Sequence, residues 1–119
     1  MLCYAYNDLL GKSVSDDLLI AVALTCGQSL RDLNIANCHA VSSRGLAGLC
    51  KHGHQLQSLN MSFCRNIHEL MLMTLIDSSI ACSSPEEGLH RIVLWGCTHL
   101  SSSFFSDCAQ RYPHLKLEG

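Results

Sequence analysis

The sequence lacks several features that would indicate a function directly. Its 119 residues include 8 Lys and Arg against 10 Asp and Glu, which gives a formal net charge of −2. It therefore lacks the basic excess that sequence-independent nucleic-acid binding requires. Its longest apolar run, Leu18 to Thr25, is far shorter than the roughly 20 residues that span a bilayer. These absences argue against direct nucleic-acid contact and against membrane insertion.

Phrases typical of catalytic sites are also missing. The sequence has no Gly-rich phosphate loop, no nucleophile elbow and no metalloprotease helix phrase. Cys50, His52 and His54 form the one ligand-like cluster, but Cys50 continues the apolar side of a predicted helix and no second Cys/His pair has zinc-finger spacing. We therefore expect no metal, no cofactor, no small-molecule substrate and no enzymatic activity.

What the sequence does contain is a nine-residue phrase that occurs three times and ends each time in cysteine. The copies occupy residues 30–38, 56–64 and 89–97, and Leu115 is a candidate start for a fourth. The first and last steps between these starts are equal and define a 26-residue period, whereas the middle step is longer. Residues 83–88 are loop-like, so the middle step is interpreted as the same period with a seven-residue insertion.

The match continues beyond each cysteine. In a chain that is 48% hydrophobic, seven positions per copy are apolar or Cys in all three copies, which chance does not explain. These positions are Leu30, Leu33, Ile35, Cys38, Val41, Leu46 and Leu49, then Leu56, Leu59, Met61, Cys64, Ile67, Leu72 and Leu75, then Leu89, Ile92, Leu94, Cys97, Leu100, Phe105 and Cys108.

Each unit has the pattern of a strand followed by a turn and a helix. Leu33 and Ile35 alternate with polar residues, as in a strand with one buried face. Leu46, Leu49 and Cys50 then follow at helical spacing. Serines precede the predicted helices and are expected to cap them. These serines are Ser15, Ser42 and Ser101.

The phrase L-x-x-L-x-L-x-x-C with a 26-residue period resembles the leucine-rich repeat. The match is to the cysteine-containing subtype found in F-box proteins with leucine-rich repeats and in antagonist-of-mitotic-exit-type proteins. This resemblance implies an α/β fold, a short solenoid of about four repeats with a parallel concave sheet and convex helices. The predicted units are a degenerate N-terminal repeat or cap (1–29), a repeat (30–55), a repeat with the insertion (56–88), a repeat (89–114) and the stub of a further strand (115–119).

The first unit matches the pattern only in its second half. Residues 14–22 resemble the helix-entry phrase of the subtype. Counting back from Val14 places Gly11 at the cysteine position and Asp8 at a buried leucine position. The first strand is therefore predicted to be degenerate or irregular, as terminal repeats often are.

The eight cysteines are interpreted as reduced. Cys38, Cys64 and Cys97 occupy the same corner of successive repeats, where an inward thiol acts as a small apolar side chain. Reduced cysteines indicate an intracellular, reducing compartment, with the cytoplasm or nucleus favoured over an organelle matrix. Residues 1–20 also show no cleavable targeting signal.

The concave face is the predicted binding surface, because its side chains alternate with the inward leucines. Trp and Arg residues often dominate interface energies, which makes Trp95 beside Arg91 a candidate hot spot. The alternative is that Trp95 seals the end of a short stack. The full set of predicted binding residues is Asp32, Asn34, Ser58, Asn60, Arg91, Val93 and Trp95, with Phe63 at the rim.

A broad concave surface without a deep pocket favours protein partners. The sequence therefore predicts a non-catalytic interaction module, acting as a small subunit or adaptor of a larger multiprotein assembly. The resemblance suggests an alternative, the substrate-recognition part of an F-box-type ubiquitin ligase, although this chain contains no F-box. A second alternative is a scaffold in a nucleic-acid repair or chromatin complex.

Overall fold

Strands and helices alternate in the part of the chain that the structure describes. The computed structural model describes residues 3–6, 15–26, 29–52, 56–82 and 88–119. The elements are β1 (Cys3–Tyr6), α1 (Asp16–Cys26), β2 (Leu30–Asn34), α2 (Ser43–His52), β3 (Ser58–Asn60), α3 (Glu69–Cys82), β4 (Arg91–Val93), α4 (Ser102–Arg111) and β5 (Lys116–Glu118).

The five strands form one parallel sheet whose order follows the chain. Leu33 lies opposite Leu59, Leu59 opposite Ile92, and Ile92 opposite Leu117. Connections between neighbouring parallel strands are right-handed, which places the helices on one face of the sheet. We call the other face the open face. The predicted α/β architecture, with a parallel sheet and repeat-like units, is therefore present.

The core lies between the sheet and the helices. It contains the repeated apolar and cysteine positions, which are buried except for Leu100 and Phe105. These two side chains are only partly buried, and Phe104 instead of Phe105 enters the core from α4. Complete burial of a side chain such as Leu59 or Ile92 contributes about 1.5–3 kcal/mol. The repeated apolar and cysteine positions thus supply most of the core side chains.

The first strand does not keep the spacing of the later units. In the pairing of β1 with β2, Ala5 lies opposite Leu33. Ala5 is therefore two residues further from Leu33 along the chain than the 26-residue period predicts, and the register also shifts between Cys3 and Tyr4. The sequence pattern placed a buried position at Asp8 and did not identify this strand. The irregularity that the sequence indicated is thus a change of spacing as well as of composition.

The third unit has a longer helix than its two neighbours. Helix α3 has 14 residues, whereas α2 and α4 have 10 each. Helix α3 is therefore four residues longer than α2 and α4. Near the end of this helix, the Ser79 hydroxyl accepts a hydrogen bond from the Leu89 N–H at 2.9 Å. The sequence predicts a loop over residues 83–88, of which 83–87 lie outside the described residues.

Two of the three predicted serine caps are confirmed. The Ser15 hydroxyl accepts a hydrogen bond from the Leu18 N–H at 3.3 Å, and the Ser101 hydroxyl accepts one from the Phe104 N–H at 3.2 Å. At Ser42 the prediction is wrong, because a carboxylate from the preceding helix takes the capping role.

That carboxylate belongs to the buried residue Asp16. It accepts the Ser42 N–H at 2.7 Å, the Ser42 hydroxyl at 2.5 Å and the Gly45 N–H at 3.1 Å. Glu69 of α3 binds the residue before α4 in a similar way, since its Oε1 accepts the Ser101 N–H at 2.8 Å and the Ser101 hydroxyl at 2.7 Å, although there the serine itself caps the helix. We call these two sets of bonds the carboxylate bridges. They satisfy backbone donors that a helix start leaves without a partner.

In the described part of the chain, no helix has both the length and the apolar character needed to cross a membrane.

Candidate protein-binding surface

Three successive turns place a residue in the left-handed backbone region at the same position of each unit. These residues are Asn37, Phe63 and Gly96, with φ angles of 65°, 62° and 71°. We call them the corner row. Backbone bonds join the corners, since the Asn37 N–H donates to the Ser62 carbonyl at 2.8 Å and the Phe63 N–H donates to the Trp95 carbonyl at 2.6 Å. Gly and Asn adopt this region readily, whereas a bulky residue such as Phe is held there at a cost of about 1–2 kcal/mol.

The Phe63 ring packs directly on Gly96. A Cβ atom added at Gly96 would overlap Cδ1 and Cε1 of Phe63, far inside van der Waals contact. Half of the Phe63 side chain is nevertheless exposed to solvent, at 50%. The ring therefore contacts the neighbouring corner on one side and is available for contact on the other.

Trp95 lies beside this pair and is 54% exposed. The backbone N–H of Trp95 donates to the Ser62 hydroxyl at 3.1 Å, which fixes the backbone just after β4. Strand β5 pairs with β4, the strand that leads into Trp95. Exposed aromatic side chains on adjacent corners are typical of surfaces that bind other proteins.

The polar side chains predicted to form the concave face lie on the open face, and two of them also hold the corners. Asn34 Oδ1 accepts the Ala36 N–H at 3.1 Å, and Asn60 Oδ1 accepts the Ser62 N–H at 3.0 Å. Such bonds two residues along the chain stabilise a turn. Two other predicted residues, Asp32 and Ser58, lie opposite each other on β2 and β3 and are partly buried.

Arg91 is exposed but paired with a carboxylate, whereas Val93 differs from what the sequence predicted. Arg91 Nε lies 2.5 Å from Glu118 Oε2, so a carboxylate of β5 offsets its charge. The hydrogen bond from Arg91 lowers the pKa of Glu118. Val93 was expected to be available on this face, but it is only 8% exposed and lies outside the core cluster. It is covered because Asn60 and Glu118 flank it on the two neighbouring strands.

A surface groove with a volume of about 470 Å³ runs along the corner row. We call it the rim groove. Inside it, Asn66 Nδ2 donates to the His39 carbonyl at 2.7 Å, and the His99 ring lies 4.6 Å from the ring of His68, centre to centre. The described residues that line the groove include no Asp or Glu. They are Asn37, His39, Phe63, Arg65, Asn66, Gly96, Thr98 and His99.

The sequence did not predict this groove. Its histidines were not recognised as neighbours because they lie far apart along the chain. A relevant pattern was nevertheless present, since His39, Arg65 and Thr98 each directly follow the repeated cysteine. Equivalent positions in stacked repeats lie side by side, so this pattern places them in one row.

The corner cysteines hold the turns from inside. Cys64 Sγ donates to the Ile35 carbonyl at 3.1 Å, and Cys97 Sγ donates to the Met61 carbonyl at 3.2 Å, each reaching the preceding unit. Burial raises the pKa of Cys38 and Cys97 and raises that of Cys64 to about 12. These thiols are therefore poor nucleophiles, and their role is structural.

The ligand-like cluster near Cys50 does not form a described site. The Cys50 side chain is partly buried and burial raises its pKa, while His54 lies outside the described residues. Among the residues that the structure describes, no three His, Cys, Asp or Glu side chains are grouped so that they could hold a metal ion.

The helices carry exposed apolar side chains as well, namely Leu24, Leu70 and Ile80. Near the last of these, a cavity of about 280 Å³ lies between the end of α3 and the segment after α4. The Tyr112 hydroxyl donates to Asp77 Oδ1 at 2.5 Å, and burial together with this bond raises the pKa of Tyr112 to about 12. This bond ties the end of α4 to α3, so we interpret the region as structural.

The fold is similar to that of a chain in the crystal structure of the Rad7 and Elc1 complex in yeast. The TM-score is 0.64 and the sequence identity is 19%, and the match covers 87% of this chain. It covers only 23% of that chain, so the protein spans about a quarter of its length. No protein-family model and no curated protein matches the sequence. At this level of identity, the similarity shows a shared repeat-like α/β fold.

Proposed function

We propose that this chain is a non-catalytic protein-interaction module. In this proposal it is a short leucine-rich-repeat solenoid with a 26-residue period, and it acts as a small subunit or adaptor of a multiprotein assembly. The observation that carries the proposal is the pair of half-exposed aromatic side chains, Phe63 and Trp95, on adjacent corners beside the open face. Large aromatic residues at such positions commonly anchor a protein partner.

Two further observations support this function. The similar solved chain was crystallised in a complex of two proteins. In addition, the corner row is fixed by backbone bonds at Asn37 and Phe63. A rigid corner loses little conformational freedom on binding, which favours affinity.

The test is to recover the tagged protein from its source cells under native conditions. Size-exclusion chromatography with light scattering measures the mass of the assembly, and mass spectrometry identifies the co-eluting proteins. We expect a particle much larger than the 13.1 kDa chain. Cullin-adaptor proteins in that particle would indicate the F-box-type role, and repair or chromatin proteins would indicate the scaffold role.

Two matched variants test whether the aromatic corner makes the contact. Trp95→Ala removes an exposed aromatic side chain from the corner, whereas Leu70→Ala removes an apolar side chain that is 79% exposed on α3. We expect Trp95→Ala to release the partner and Leu70→Ala to retain it. A wild-type chain that elutes as a monomer, or two variants that bind equally well, would contradict the proposal.

A further inference from the structure

Phe63 combines two properties that are costly for folding. Its backbone has a φ of 62°, which is unfavourable for an aromatic residue, and half of its side chain faces solvent. The equivalent residues in the neighbouring units, Asn37 and Gly96, are types that accept this conformation. Backbone strain of this kind is concentrated at functional sites, where a contact compensates for its cost.

The rim groove beside Phe63 presents cationic and donor groups. Arg44 and Arg91 form ion pairs with carboxylates, but Arg65 forms none with any other residue that the structure describes. The His39 and His99 side chains line the same groove. Its volume of about 470 Å³ falls within the roughly 300–1,000 Å³ typical of binding sites.

We infer that the rim groove binds an acidic polypeptide segment, with its carboxylates directed to Arg65 and an apolar side chain placed on the exposed side of the Phe63 ring. This inference rests on the proposed function and specifies the chemistry of the partner. A peptide is favoured over a nucleic acid because the chain carries a net charge of −2. The long-range field of the molecule therefore repels a polyanion, while a short acidic segment interacts with the local charge.

The probe is a fluorescein-labelled synthetic peptide of three glutamates, two leucines and five serines, titrated with purified protein and followed by anisotropy. A second peptide carries glutamine in place of every glutamate. We expect the acidic peptide to bind at least tenfold more tightly than the glutamine peptide. Its affinity should fall as the salt concentration rises from about 50 to about 300 mM, because exposed charges are then screened.

Two charge-reversal variants localise the contact. Arg65→Glu reverses the cation of the groove, and Lys51→Glu makes the same change in net charge at an exposed position in the last turn of α2. We expect Arg65→Glu to weaken peptide binding at least tenfold and Lys51→Glu to change it less than threefold. Equal effects of the two variants would overturn the assignment to the groove.

Phe63→Asn tests the aromatic contact without the risk of unfolding. Asn already occupies the equivalent corner at Asn37, so this variant should denature at the same urea concentration as wild type or a higher one. We expect its affinity for the acidic peptide to fall at least fivefold. An affinity equal to that of wild type would show that Phe63 does not contact the peptide and would overturn the inference.

The outcomes separate this inference from the proposed function. If the acidic peptide fails to bind at millimolar concentration, or if a single-stranded oligonucleotide binds more tightly, the inference is wrong. Loss of the native assembly in Trp95→Ala would still support an interaction module in that case. If the assembly is absent altogether, the proposed function fails independently of the peptide result.

Discussion

At the scale of single residues, Gly96 and Phe63 depend on each other. Gly96→Ala should lower the free energy of unfolding by about 2 kcal/mol, because Ala is unfavourable at a φ of 71° and its Cβ would overlap the Phe63 ring. Urea denaturation followed by circular dichroism measures this loss.

A double-mutant cycle separates the two causes. In a Phe63→Ala background the overlap is removed, so the cost of Gly96→Ala should fall to the backbone component, about 1 kcal/mol. An unchanged cost in the two backgrounds would show that the ring does not restrict the glycine.

Cys64 should be protected from alkylation in the folded protein. Burial raises its pKa to about 12, so the thiol is protonated at pH 8, and its side chain is shielded from the reagent. Peptide mapping after iodoacetamide treatment should show unmodified Cys64 in buffer and complete modification in urea. The partly buried Cys50 provides an internal comparison, and modification of both at the same rate would contradict the prediction.

Several of these residue properties could be predicted from the sequence, and others could not. The inward direction of Cys64 follows from its repetition at Cys38 and Cys97. The burial of Val93 does not, because it depends on side chains of two other strands. The left-handed backbone at Phe63 was indicated only indirectly, by Asn37 and Gly96 at equivalent positions, since Phe itself is rare in that region.

At the scale of elements, the start of α4 depends on a carboxylate from α3. Hydrogen bonds from Ser101 lower the pKa of Glu69 below its value in the unfolded chain, which is about 4.3. The stabilisation is therefore fully present above that unfolded value and is lost as the pH falls through the lower, folded value. Glu69→Gln should reduce stability at pH 7 and flatten its acid dependence between about pH 5 and pH 3.

Asp107→Asn is the control for this experiment, because Asp107 is an exposed acid on α4 itself. Thermal melts of wild type and both variants across this pH range make the comparison. If the two variants alter the acid dependence equally, the effect arises from net charge and the bridge between Glu69 and Ser101 is not its cause.

The sequence predicted well the units that show both the two-residue alternation of a strand and the three-and-four spacing of a helix. The alternation around Leu33 and Leu59 identified β2 and β3, and the later three-and-four spacing identified the helices that follow. Strand β1 was missed because its spacing from β2 departs from the period and its register shifts. The extension of α3 was missed because Pro85 and Gly88 indicate where a helix cannot continue but leave open how far it runs before them.

At the scale of the whole molecule, the continuous core predicts cooperative unfolding. Leu59 is fully buried in the central strand, opposite Leu33 and Ile92. Leu59→Ala should lower the free energy of unfolding by about 3 kcal/mol, because it removes buried methyl groups and leaves a cavity. The fluorescence of Trp95, the single tryptophan, and far-ultraviolet circular dichroism should report one coincident transition in urea.

Leu70→Ala is the matched control, because the same substitution at a side chain that is 79% exposed should change stability by less than about 0.5 kcal/mol. Similar losses in the two variants would contradict the burial pattern. Separate transitions for the two probes would show that the units unfold independently.

The sheet order also determines how the molecule would respond to mechanical load. Strands β1 and β5 lie at opposite edges, and each strand pairs only with its neighbours in the chain. A pulling force applied between these edges acts along the interstrand hydrogen bonds of ladders in series, so every ladder carries the same force and the weakest opens first. We expect the protein to extend at low force in successive steps, each of which separates one pair of strands. It would then behave as a compliant link in any assembly under tension.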